Sequence, residues 1–115
     1  LKSRFPNWIE FPSYTCDDLL DILLLNINKK NVALSQDDWD YLESRFIELF
    51  NATNVNGALD GNGRYIENFM NDLLATRDIR LANMKRQGYT LTNNDILTLT
   101  RDDIDQVINN RLRSH

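Results

Sequence analysis

Residues 35–50 read SQDDWDYLESRFIELF, and they give the clearest indication of the fold class. Their apolar side chains recur at positions i, i+3, i+7, i+10 and i+11, which is the spacing of one face of an α-helix. Ser35 is a favourable N-cap, and Asp37 and Asp38 put negative charge in the first turn, where the helix dipole stabilises it. The pattern predicts an amphipathic helix that buries Trp39, Leu42, Phe46, Leu49 and Phe50.

Three further stretches have the same helical periodicity. Two of them begin at a threonine N-cap with an aspartate three residues on, Thr15 with Asp18 and Thr100 with Asp103, and the other follows a glycine-rich turn. Each carries cations near its end, such as Arg111 in the last, where the helix dipole is negative. Residues 51–63 are rich in glycine and asparagine and predict a loop, and residues 90–98 predict a short irregular connection. The four predicted helices are Thr15–Lys30, Ser35–Phe50, about Arg64 to about Lys85, and Thr100–Arg113.

Residues 5–11 differ from the rest because they favour an extended conformation. Pro6 and Pro12 bracket a short run of strand formers, and no other stretch of the sequence reads as a strand. A lone strand leaves its backbone donors and acceptors unpaired, so this is either an extended arm or a strand of a sheet in another domain. The sequence begins at Leu1, without methionine, and we interpret it as part of a longer protein. The predicted fold is an all-α four-helix bundle preceded by a short extended strand or arm.

The composition fits one globular domain and argues against several classes of protein. The 115 residues include 17 acidic and 13 basic side chains, for a formal charge of −4, whereas nucleic-acid-binding domains usually carry an excess of positive charge. No apolar stretch has transmembrane length, and no secretory signal is visible. Cys16 is the only cysteine, which favours a reducing compartment. We therefore expect a cytoplasmic protein that binds neither nucleic acid nor membrane.

Familiar catalytic and metal-binding motifs do not occur in the sequence. No glycine begins a phosphate-binding loop or a dinucleotide-binding fingerprint. His115 is the only histidine and is terminal, which argues against a histidine-based triad or a zinc site. An EF-hand alignment on Gly57 puts Ala52 and Gly63 at the two positions that most need acidic ligands, which argues against calcium. The helix dipole would lower the pKa of Cys16, but without a nearby histidine we interpret it as a small boundary residue.

One short segment has an unusual arrangement of charge. In Gly61-Asn62-Gly63-Arg64, a glycine-rich turn precedes a helix and an arginine occupies the first helical turn, where the dipole favours anions. An arginine beside open helix N–H groups is well suited to contact a phosphate. The alternative interpretation is a solvated arginine beside a flexible turn.

Four segments resemble motifs of one ATPase family. Residues 1–5 resemble the Gly-Leu-x-Ser-Arg-Phe segment late in the ATPase core, and residues 9–15 resemble the Ile-x-Phe-Pro-Asp-Tyr-Ser/Thr hinge that follows. Residues 61–69 resemble the sensor-2 element Gly-Asn-Ala/Gly-Arg-x-Val-Arg-Asn-Leu, and residues 97–104 resemble the terminal Leu-Thr-x-Glu-Asp-Ile. The sequence is thus similar to the C-terminal lid of AAA+ ATPases of the CbxX/CfqX group. That group includes red-type Rubisco activases, stage V sporulation protein K-like proteins and type VII secretion ATPases.

The resemblance implies a division of the chain and a role for the arginine. Residues 1–14 would be the end of the ATPase core, with its last strand and the hinge, and residues 15–115 would be the helical lid. Arg64 would be the sensor-2 arginine, which reaches the phosphates of ATP held by the core. The residues implied to lie at the nucleotide are Gly61, Gly63, Arg64 and Tyr14.

The resemblance also implies cofactors and partners beyond this chain. ATP and Mg²⁺ would be bound by the parent ATPase, and this fragment alone would bind no cofactor and hydrolyse no ATP. Arg4 resembles the arginine that such ATPases insert into the site of the adjacent subunit. The implied partners are the protein's own N-terminal ATPase core, neighbouring subunits of a hexameric ring and an unknown protein substrate.

Two segments depart from that family's pattern. Residues 51–60 form a longer and more asparagine-rich connection, and Glu67 stands where a basic residue is common, so a second phosphate contact is not expected there. The charged residues 77–86 are predicted to be a solvated helix end. The alternative to a lid is a stand-alone four-helix protein-interaction module without nucleotide chemistry.

Overall fold

The computed structural model describes residues 15–53 and 63–114, which are predominantly helical. Within these two ranges there is no β-strand, only an isolated parallel bridge between Ala33 and Thr98. The predicted all-α bundle is confirmed, whereas the extended arm lies outside the described residues. The helices are α1 (Cys16–Lys29), α2 (Gln36–Thr53), α3 (Gly63–Arg86), α4 (Asn93–Leu97) and α5 (Arg101–Ser114).

Local hydrogen bonds explain where α1 and α2 begin. Thr15 and Asp18 form a capping box: the Asp18 N–H donates to Thr15 Oγ1 at 3.1 Å, and the Thr15 N–H donates to Asp18 Oδ2 at 3.0 Å. Before α2, the Asp38 N–H donates to Ser35 Oγ at 3.1 Å. These side chains satisfy backbone groups that the first turn leaves open, which confirms both predicted helix starts.

The prediction of an irregular connection at residues 90–98 is wrong, because this segment contains α4. The Asp95 N–H donates to Thr92 Oγ1 at 3.1 Å, and the Thr92 N–H donates to Asp95 Oδ2 at 2.9 Å, so α4 also begins with a capping box. Its five residues make little more than one turn, which is too short to show an apolar periodicity in the sequence. α2 also continues to Thr53, beyond the predicted start of the loop at residue 51.

The four longer helices share one hydrophobic core. α1 packs against α2 and α3, and α5 packs against α2 and α3. Phe46 and Phe69 contact edge to face, with ring centroids 5.4 Å apart and planes at 77°, a favourable aromatic geometry. Trp39 and Phe50, from the predicted apolar face of α2, are only partly buried. The buried core consists of Leu19, Leu20, Leu23, Ile27, Val32, Leu42, Phe46, Leu49, Ile66, Phe69, Met70, Leu73, Leu99, Ile104, Val107 and Ile108.

The segments that precede α2 and α5 pair with each other. The Ala33 N–H donates to the Leu97 carbonyl at 2.8 Å, and the Leu99 N–H donates to the Ala33 carbonyl at 3.3 Å. Leu99 is fully buried, so its side chain anchors the pairing in the core. The start of α5 is thereby held beside the start of α2.

The prediction of a solvated helix end at residues 77–86 is wrong for Arg80. Its Nε lies 3.0 Å from Asp103 Oδ1 and its Nη2 lies 3.1 Å from Asp103 Oδ2, while Nη2 also donates to the Thr98 carbonyl at 3.1 Å. Asp103 has no exposed surface and also accepts from the Thr100 N–H at 3.1 Å. A buried carboxylate needs such partners because taking it out of water is costly. Arg80 therefore ties α3 to the beginning of α5.

Candidate functional site

The structure places part of the predicted phosphate-contacting site. Gly63 is the first residue of α3, and Arg64 follows in the first turn with an exposed side chain. The predicted beginning of this helix at residues 62–64 is therefore confirmed. Three other candidate residues, Gly61, Tyr14 and Arg4, lie outside the described residues.

The start of α3 differs in charge from the starts of the other described helices. α1, α2, α4 and α5 each have at least one aspartate in the first turn, where the helix dipole stabilises negative charge. α3 has no acidic residue in its first turn and carries Arg64 there. The guanidinium and the dipole of a 24-residue helix therefore add positive potential at the same end. Such an end favours an anion.

Arg64 also differs from the other described arginines in its contacts. Among residues 15–53 and 63–114, no carboxylate lies within ion-pairing distance of its guanidinium. An exposed arginine in this position can approach a ligand without first breaking an ion pair to those residues. The other arginines in these ranges, each with a carboxylate or amide side-chain partner, are Arg45, Arg77, Arg80, Arg86, Arg101, Arg111 and Arg113.

The residues that follow Arg64 anchor the start of α3 in the core. Ile66 and Phe69 have no exposed surface. The ring of Tyr65 is partly buried and stacks on Phe69, with centroids 6.5 Å apart and planes at 17°. Because these contacts fix the first two turns of the helix, the exposed side chain of Arg64 extends from a rigid position.

Arg111 of α5 covers the same two turns of α3. Its guanidinium carbon lies 4.8 Å from the ring centroid of Tyr65 and 5.2 Å from that of Phe69. Its Nη2 lies 2.5 Å from Asp72 Oδ2. Sequence analysis identified Arg111 only as a cation near the end of its helix, since a contact across 39 residues of sequence depends on how α3 and α5 pack.

Cys16 does not have the environment of a reactive thiol. Burial raises the pKa of its thiol, and the carboxylates of Asp17 and Glu43 raise that pKa further. The alternative of a thiol pKa lowered by the α1 dipole is therefore wrong, because burial and two nearby negative charges favour the protonated thiol. The side chain packs at the edge of the core, as expected for a boundary residue.

The described part of the chain contains no metal centre and no membrane span. No group of three or more His, Cys, Asp or Glu side chains in it could hold a metal ion. None of its helices is both long enough and apolar enough to cross a membrane. A groove of about 500 Å³ between α3 and α5 is lined by Asp72, Ile79, Asp102 and Gln106 among others, but Arg64 does not line it.

Comparison with protein families identifies the class to which this bundle belongs. Residues 15–114 match the AAA lid domain family. Because the match covers nearly the whole chain, the chain belongs to that family, whose members are lids of AAA+ ATPases. The predicted identity as an AAA+ lid is confirmed.

The similar curated proteins are all ESX-3 secretion system proteins named EccA3. The protein from Mycolicibacterium smegmatis is 30% identical over 114 residues, which cover 92% of this chain and 18% of that protein. The proteins from Mycobacterium tuberculosis and Mycobacterium leprae are each 30% identical over 122 residues, covering 98% of this chain and 19% of those proteins. The chain thus spans less than one fifth of the length of these relatives. No solved structure gives a significant match.

Proposed function

We propose that this domain senses ATP in an AAA+ ATPase similar to EccA3, and that Arg64 is the residue that contacts the phosphates. One observation carries the proposal: Arg64 is exposed in the first turn of the longest described helix, where no acidic residue accompanies it. The position resembles the sensor-2 element of AAA+ lids, and the family match supports the likeness. It also favours a lid over a stand-alone interaction module.

The electrostatics of this helix end support binding of a polyphosphate. Two opposite unit charges ~4 Å apart attract by about 4 kcal/mol at an effective dielectric constant of about 20. A guanidinium forms two parallel hydrogen bonds to phosphate oxygens, and the dipole of α3 acts in the same direction. Since the γ-phosphate exists only before hydrolysis, a contact of Arg64 with it would favour the closed lid in the ATP state.

The nucleotide itself would be held mainly by the ATPase core. ATP bound with Mg²⁺ supplies the phosphoryl group that is transferred to water. The described residues of the lid offer carboxylates but no cluster that could hold a metal, so Mg²⁺ is assigned to the core. The role of this chain is then to contact and orient the phosphates through Arg64, with Gly61, Gly63 and Tyr14 beside the nucleotide.

The same proposal covers the segment before the lid, the neighbouring subunits and the type of ATPase to which the lid belongs. Residues 1–14 would end the ATPase core and contain the hinge, which agrees with a family match that begins at residue 15. Arg4 would reach the site of a neighbouring subunit in a hexameric ring. The parent would be a cytoplasmic ATPase of the CbxX/CfqX group that remodels a protein substrate, within a secretion system if it follows its EccA3 relatives.

The test is an Arg64→Ala substitution in the parent ATPase. Loss of a phosphate contact predicts a fall of about 10- to 100-fold in ATP turnover, equivalent to ~1.4–2.7 kcal/mol of lost stabilisation. Steady-state hydrolysis and binding of a slowly hydrolysed ATP analogue would measure it. Arg86→Ala is the matched control, because Arg86 is exposed on the same helix at its opposite end. Equal kinetics of both variants and the wild type would refute the assigned role.

A further inference from the structure

The last turn of α5 packs directly against the first turns of α3. The guanidinium of Arg111 lies over two aromatic rings, 4.8 Å from the centroid of Tyr65 and 5.2 Å from that of Phe69. Its Nη2 also forms an ion pair with Asp72 at 2.5 Å. Tyr65 directly follows Arg64 in the chain, so this contact ends one residue away from the candidate phosphate-contacting side chain.

The contact forms a stack that runs from α5 into the core. Arg111 lies on Tyr65 and Phe69, whose rings are stacked with planes at 17°, and Phe69 in turn meets Phe46 edge to face. Phe46 and Phe69 have no exposed surface, whereas Tyr65 is only partly buried. Tyr65 is thus the least buried of the three rings, and the guanidinium of Arg111 lies over it.

The chemistry of Arg111 suits a restraining role. Its side chain is only 20% exposed, and its buried Nε has no hydrogen-bond partner in the described part of the chain. A planar guanidinium can lie flat on aromatic rings and use its remaining nitrogens for a carboxylate, which a lysine ammonium cannot do in the same geometry. The rings and Asp72 therefore hold the guanidinium of Arg111 against the start of α3.

We propose that Arg111 is a positioning residue for Arg64, an inference that rests on the function proposed above. By holding Tyr65 on Phe69 and pairing with Asp72, it restrains the first three turns of α3. It thereby limits the directions in which the Arg64 side chain can leave the helix. The last helix of the lid would set the accuracy of the phosphate contact without touching the nucleotide.

The test is a double-mutant cycle in the parent ATPase. Arg111→Met keeps a long unbranched side chain on the rings but removes the charge and the planar group, and Arg64→Ala removes the proposed contact. The measured quantity is the ratio of the Kd for ADP to the Kd for a slowly hydrolysed ATP analogue.

A positioning role predicts a specific pattern in that ratio. Arg64→Ala lowers it about 10-fold, Arg111→Met lowers it about 3- to 5-fold, and the double variant equals Arg64→Ala alone, because coupled residues are not additive. Arg111→Lys, which keeps the charge, falls between the wild type and Arg111→Met. Arg113→Gln is the control on the same helix, because Arg113 is exposed and its guanidinium donates to Asn110 of the same helix.

The outcomes separate this inference from the function on which it rests. An unchanged ratio in Arg64→Ala would refute the proposed function and this inference together. A lowered ratio in Arg64→Ala with no change in Arg111→Met, or with additive losses in the double variant, would refute only the positioning role. A purely structural role of Arg111 predicts that additive result.

A second variant keeps the inference testable if Arg111→Met does not fold. Asp72→Asn removes the ion pair that orients Arg111, and Asp72 is more than half exposed, so the core is not disturbed. It is expected to lower the ratio about twofold, and this loss should disappear in the Arg64→Ala background. A loss that persists there would overturn the inference. Thermal melting of each full-length variant reports whether it is folded.

Discussion

The two ends of α3 use arginine in opposite ways. At its beginning, Arg64 is exposed and has no carboxylate partner among the described residues. Sixteen residues later in α3, Arg80 is mostly buried and binds a carboxylate that has no exposed surface, that of Asp103. Arg64 thus has the exposure that the proposed phosphate contact requires, whereas Arg80 is paired within the fold. The comparison shows that the residue type does not reveal the role of an arginine, whereas its position on the helix and its partners do.

The largest expected effect concerns the structural end of the helix. Arg80→Ala leaves the buried carboxylate of Asp103 without its cation and removes a donor from the Thr98 carbonyl. Breaking one partner of a buried pair costs several kcal/mol, and because Arg80 retains some exposure we expect ~3 kcal/mol less free energy of unfolding. Urea denaturation of this chain measures the change, with Arg86→Ala as the control. A loss below ~1 kcal/mol would show that the pair is not structurally important.

A smaller effect of opposite sign is expected at the ligand end. Arg64→Glu replaces a cation by an anion in the first turn of α3, where the dipole favours negative charge, so the free energy of unfolding should rise by ~0.3–1 kcal/mol. The same change should abolish the ATP response of the parent protein. Denaturation of the chain and hydrolysis by the parent protein test the two statements separately. If Arg64→Glu were less stable than the wild type and fully active, Arg64 would have a structural role like that of Arg80, contrary to the comparison above.

The smallest expected effect is a pH dependence of stability at the start of α1. This helix has aspartates in its first turn, where α3 has Arg64. Burial and nearby carboxylates raise the pKa of the Cys16 thiol, so the fold favours the protonated form. This contribution to stability is complete below the unfolded pKa and is lost as the pH rises through the folded pKa. Alkylation by iodoacetamide should therefore reach its half-maximal rate at a higher pH in the folded chain than in urea. A lower half-maximal pH in the folded chain than in urea would show instead that the α1 dipole lowers the pKa of the thiol.

Much of the fold follows from local patterns. The Thr15–Asp18 pair predicted the start of α1, and Thr100 with Asp103 predicted that of α5, because a cap joins residues three apart. The apolar face of α2 was predicted in the same way, since helical periodicity appears within one stretch of sequence. α4 was missed although Thr92 and Asp95 carry the same capping pattern, because one turn of helix is too short to show a periodic face.

Much less of the site could be predicted from residue patterns alone. Arg64 could be singled out because a cation in a first turn conflicts with the helix dipole, a conflict visible in four consecutive residues. Arg111 carried no such signal, since a cation near a helix C-terminus is favourable and common. Its contact with Tyr65 exists only where α5 crosses the beginning of α3, and no local pattern encodes that crossing.

The sequence by itself determined the four longer helices and where they begin. It also determined that Arg64 lies in the first turn of α3 and that the chain resembles AAA+ lids. These features depend on neighbours within a few positions, where backbone geometry fixes which groups can meet. The pairing of Arg80 with Asp103, 23 residues apart, and that of Arg111 with Asp72, 39 residues apart, arose only from the packing of α3 against α5. Burial gives the Arg80–Asp103 pair its importance, because the Asp103 carboxylate has no exposed surface and depends on the partner that the fold brings to it.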